Sequence, residues 1–160
     1  MTMIRAVIGA TGLLCGGFWL VVNLISGSPQ DAAVGVTPVL GGLMVLFWDR
    51  LRIRSPWVAP VAVAAGLAGA VAGLAVHRVS TGGMFAWIEY RGWPFEWLSR
   101  GGLGDDFDEA RRIAEASGWS AEPLRLAVDV VLHSYTSLVL IVGLILLLRR
   151  LAPKVPDKTR

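Results

Sequence analysis

One cysteine, two histidines and two lysines are all that 160 residues hold of those types. A lone Cys15 excludes an internal disulfide and a multi-cysteine metal site. Charge is scarce as well. Charged residues make up 17% of the chain, where a soluble domain carries about 25%. Hydrophobic residues reach 54%, and the mean hydropathy is +0.60. A water-soluble enzyme cannot cover its surface with so few polar groups. Disordered, collagenous and disulfide-scaffold classes are excluded too.

What is present comes in long apolar runs. A bilayer core of about 30 Å takes about 20 apolar helical residues. Four stretches meet that length and predict spans over residues 6–25, 32–48, 57–76 and 124–148. Their length and lack of two-residue alternation argue against strands. The first run is too long for the apolar region of a cleaved signal peptide and reads as a retained helix. The expected fold is an all-α integral membrane protein. It is a bundle of four transmembrane helices with an aromatic-rich extracytoplasmic cap between helices 3 and 4.

Lys and Arg near span ends favour the cytoplasmic face. With four spans, one side collects Arg5, Arg50, Arg52, Arg54, Arg149, Arg150, Lys154, Lys158 and Arg160 against Asp49 and Asp157, a net +7. The other side, including Asp31 and segment 77–125, nets −3. Both termini, with the basic tail 149–160, are therefore expected in the cytoplasm of a cell (inner) membrane protein. Trp48 and Trp57 flank the basic loop, as an interfacial belt requires. Arg over Lys, with abundant Ala and Gly, fits a GC-rich bacterium.

Helices in lipid associate through small residues. Gly12 and Gly16 give such a face on the first span, with Gly9 and Gly17 beside it. Ala65, Gly69 and Gly73 form a stripe on the third, next to Ala62, Gly66 and Ala70, which places that helix centrally. Leu138–Leu148 is bulky and uniform, a lipid-facing pattern.

The extracytoplasmic segment 77–122 has three parts. Phe85, Trp87, Tyr90, Trp93, Phe95 and Trp97 crowd its start, and Gly92 and Pro94 prevent one continuous helix. They predict a hairpin at the membrane interface or on a partner protein. Ser99–Gly104 reads as a flexible break without a phosphate-loop pattern. A short helix follows over 106–117, capped by Asp106 with Glu109 as capping-box partner and Gly118 as its stop. Ser120 is expected to cap the last span, with Pro123 in its first turn.

Ionisable groups at membrane depth are costly and are functional candidates. Asp129 and His133 lie four residues apart on one helical face. Counting along the spans gathers Asn23, His77, Asp129 and His133 in the outer leaflet. The structural reading has Asp129 accepting a hydrogen bond from His133. A second has His133 and His77 ligating haem, against which their depths differ. A third is a proton or small-solute relay, and a quinone or lipid headgroup site is a fourth. No nucleophile–base pair, metal cluster or nucleotide loop is legible. The chain is therefore expected to be a non-catalytic accessory or scaffolding subunit of a larger membrane complex. Its expected partners are lipids and other membrane subunits or itself, with no nucleic acid, no metal and no cofactor. The alternative is a small electron-transfer or proton-coupled transport protein.

Overall fold

A computed structural model describes residues 3–26, 29–53, 55–83 and 85–151. Arg54, most of tail 149–160 and the middle of the turn 26–31 lie outside the described residues. The chain is mostly helical and also holds one four-stranded sheet. In order, it forms α1 (Met3–Ile25), α2 (Pro29–Leu46), α3 (Trp48–Leu51) and α4 (Val58–Ala72), then a 3-10 turn. Next come β1 (His77–Gly82), β2 (Ala86–Arg91), β3 (Leu98–Leu103), α5 (Phe107–Ala116), β4 (Ser120–Ala121) and α6 (Pro123–Leu151). Among the described residues, three helices are long and apolar enough to cross a membrane: α1, α4 with its 3-10 turn, and α6. In α2 the apolar stretch is shorter, Val34–Leu46.

The chain divides into two compact units, Met1–Ala62 with Tyr135–Arg160, and Val63–Ser134. In the first, α1 and α2 run antiparallel in close backbone contact. Gly9 lies opposite Gly42, and Gly16 opposite Gly35. A Cβ on Gly16 would stand 2.8 Å from the Gly35 carbonyl oxygen. The first-span glycines therefore serve contact within the chain. Gly17 meets nothing within 4 Å. Gly12 and Gly41 make room for the Tyr135 ring of α6, whose hydroxyl donates to the Ile8 carbonyl at 2.8 Å. Ile53, Val58, Ala62, Leu138 and Val142 complete a small apolar core around Tyr135. Part of the leucine-rich stretch is thus packed, because Leu138 and Val142 share one helical face. Leu140, Leu144, Leu147 and Leu148 stay exposed.

In the second unit the sheet is an antiparallel meander in the order β1-β2-β3-β4. Its presence corrects the all-α expectation. The expected flexible break Ser99–Gly104 is instead mostly β3. Its glycines are there for packing, since a Cβ on Gly102 would strike the Ala110 carbonyl and one on Gly104 the Ala110 amide. Small residues on both sides let α5 lie directly on the strand, with Ala110 and Ala114 fully buried. Asp106 caps α5 by accepting from the Glu109 amide at 2.7 Å, and Glu109 reaches back to the Asp105 amide. The helix gives way to an extended Ser117 (φ −73, ψ 147), and Gly118 behind it does not take a positive φ, so it is not a left-handed cap. Ser120 pairs with Ser99 in the sheet, and α6 starts at Pro123 without it.

Helix α4 buries one face. Ala62, Gly66, Ala70 and Gly73 are buried, whereas Val61, Val63, Leu67 and Val71 are exposed. Ala65 and Gly69, of the neighbouring small-residue stripe, are half-buried.

Candidate functional site

Asp129 of α6 is fully buried. Its Oδ1 accepts the Phe95 backbone N–H at 3.1 Å. Its Oδ2 has no hydrogen-bond partner among the described residues. The expected bond from His133 is replaced by this backbone bond. A turn of helix away, the His133 ring lies against Gly69 of α4 and beside Trp93, with ring centroids 5.7 Å apart.

Loop Gly92–Trp97, between β2 and β3, supplies Trp93 and Phe95. It is fixed from several directions. Gly92 takes φ +126, a region that L side chains avoid, and its amide donates to the Val76 carbonyl. Gly73 lets the Trp93 backbone approach, since a Cβ there would stand 2.9 Å from the Trp93 carbonyl oxygen. Arg125 donates to the Glu96 carbonyl at 3.1 Å, and Arg78 pairs with the Glu96 carboxylate at 3.4 Å. The Trp93–Pro94 peptide is cis. Trp93 nonetheless remains 49% exposed, and the Trp97 indole N–H is buried.

The six aromatic rings do not make one surface. Alternation along β2 sends Trp87 and Tyr90 to opposite faces. Phe85, at φ +51, packs edge-on against Phe107 at 5.2 Å.

Asp129 and His133 stand one turn apart on α6, and His77 lies apart from them on the sheet. His77 opens β1, opposite Arg91, and faces the side of the sheet that carries α5. Asn23 belongs to the first unit, where its amide donates to the Trp19 carbonyl one helical turn back. Span counting set His77 at the end of the third span, but the chain leaves the helix before it and enters β1.

A second polar cluster escaped sequence reasoning. Glu89 of β2 is 5% exposed. Its Oε1 accepts from Arg91 at 2.9 Å, and its Oε2 accepts from Arg100 at 2.8 Å. Both guanidinium groups stack on Trp119, at 5.1 and 4.6 Å from the ring centroid. Burial pushes the Glu89 carboxyl up, but the bonds from Arg100 and Arg91 outweigh it and hold the group below its ordinary 4.5. The clue was available in the sequence. Glu89, Arg91 and Arg100 share one strand face once a hairpin is assumed.

No metal-ligating group of three or more His, Cys, Asp or Glu occurs among the described residues. No family model matches the chain, and neither does any curated protein or solved structure.

Proposed function

We propose that the chain is a non-catalytic, four-span accessory or scaffolding subunit of a larger complex in the cell (inner) membrane. Both termini are cytoplasmic, and residues 77–122 form its extracytoplasmic cap. The observation that carries this reading is the held but exposed aromatic loop. Asp129, Gly73 and Arg125 fix its backbone and Arg78 holds the Glu96 side chain, while Trp93 keeps half its surface free. A preorganised aromatic anchor loses little entropy on binding and is a typical hot spot.

Two further features support the four-span reading. Apolar side chains such as Leu14, Phe18, Val71 and Leu140 face outward, as lipid contact requires. At one end of the first unit, Arg5 of α1 pairs with Asp49 at 3.1 Å, and Arg149 of α6 donates to the Leu51 and Arg52 carbonyls. The start of α1 and the end of α6 thus meet the same basic loop, which suits an even number of spans. Helix α2, 18 residues and about 27 Å long, supplies the fourth.

A photo-crosslinking residue at position 93 tests the function. Adducts to another membrane protein, lost when the loop is freed by Asp129→Leu, are expected. Adducts to lipid alone, with a strictly monomeric purified protein, would overturn the reading.

The second reading, proton coupling or electron transfer, draws on the unpartnered Asp129 Oδ2 beside His133. It requires a pH-dependent flux abolished by Asp129→Asn, or a Soret band abolished by His133→Ala. A colourless protein without flux refutes it.

A further inference from the structure

The face of the sheet that carries α5 is only partly covered. Helix α5 packs on β3 and β2 and leaves an open cleft of about 360 Å³ beside it. Its floor is strand residues, chiefly His77, Trp87, Glu89 and Arg100, and its wall is Arg111 and Glu115 of α5. Small-molecule sites begin at about 300 Å³, so the space suits one or two sugar-sized rings.

Charge decides what can enter. Glu89 is paired with Arg91 and Arg100, and Arg111 donates to Glu115 at 2.8 Å. An isolated anion would meet two carboxylates, and an isolated cation two guanidinium groups. Glu89 is filled, since Arg91 and Arg100 each bring two nitrogens to it, but Arg100 and the Arg111–Glu115 pair keep donors and acceptors free. A guanidinium has five N–H donors, and a carboxylate has about four acceptor sites. The lining is thus a close alternation of donors and acceptors with little net charge, beside the indole of Trp87. A hydroxyl is the group that donates and accepts at once, and a pyranose joins several hydroxyls to an apolar C–H face.

We propose that this cleft binds a saccharide. One sugar ring lies against Trp87, with its hydroxyls shared among His77, Arg111 and Glu115. The sugar can come from a free glycan or from a glycolipid headgroup.

Calorimetric titration of the full chain, in nanodiscs free of sugar detergents, tests this. The probes are cellobiose, the N-acetylglucosamine disaccharide and octyl glucoside below its micellar concentration, with inorganic phosphate and choline as charged controls. Saturable millimolar or tighter binding of at least one saccharide probe is expected. Arg111→Gln and Glu115→Gln should each weaken it at least 10-fold. Both side chains are exposed on α5, away from the buried Ala110 and Ala114, so the variants keep the fold. Binding of octyl glucoside alone points to a glycolipid source, and binding of the disaccharides to a free glycan. Heat from phosphate or choline but no sugar, no heat from any probe, or saccharide binding indifferent to both variants would overturn the proposal.

Discussion

Glu89 holds its charge where water barely reaches, because two guanidinium groups replace the lost hydration. Its removal should therefore be felt. Glu89→Gln is expected to cost about 2 kcal/mol, the scale of hydrogen bonds to a charged group, measured by denaturant unfolding in detergent. The pH dependence follows from the depressed carboxyl. The contribution is complete above the ordinary carboxylate value of 4.5 and is lost as pH falls through the lower folded value. Wild type should lose stability on acidification below that range, and Glu89→Gln should show a shallower loss. Asp129 gives a different test. Asp129→Asn keeps an oxygen for the Phe95 amide, whereas Asp129→Leu does not. Amide exchange at Phe95 should stay slow in the first variant and rise in the second, with a stability loss of about 1–3 kcal/mol. Asp129 and His133 were legible because polar side chains stand out in an apolar run. Tyr135 was not. Its role depends on gaps left by Gly12 and Gly41, which lie more than 90 positions away in the chain.

Among the elements, glycines decide which surfaces meet. Gly16 and Gly17 are neighbours in sequence with opposite duties. Gly16→Leu should force α1 from α2 and cost about 1–3 kcal/mol or more, as overpacking does, whereas Gly17→Leu should be tolerated. Reversible unfolding in mixed micelles distinguishes the two. Gly102→Ala should likewise push α5 off β3, seen as a loss of near-ultraviolet dichroism from the aromatic residues. The helices were readable from apolar length alone, since that signal is local. Strand β3 was not, because LSRGGL has neither the alternation nor the β-branched residues of an ordinary strand. Its glycines suit a helix lying on top, and that helix follows later in the chain. The β2 segment AWIEYR carried aromatic and β-branched residues bounded by glycine, the signal that would have revealed the hairpin.

For the whole molecule, the number of crossings is the property on which the rest depends. Among the described residues three helices have the length and composition to span a membrane, and α2 sits at the short limit with Pro38 inside it. Four crossings put residues 50 and 158 on one side and residue 80 on the other. In a Cys15→Ser background, single cysteines at those positions should label accordingly with an impermeant maleimide. Ser80→Cys should react from outside, and Arg50→Cys and Lys158→Cys only after the membrane is opened. Labelling of positions 50 and 158 from outside, with position 80 protected, would show that α2 does not cross. Sequence by itself determined the apolar helices, because burial in lipid depends on composition over about 20 residues. It also determined the cap of α5, whose chemistry is contained within one turn. Only the tertiary structure decided that a sheet stands between α4 and α6. It alone tied Asp129 to the Phe95 amide and set His77 beside Glu89. Those relations join residues distant in the chain through pairing register and glycine-sized gaps, and no local pattern encodes them.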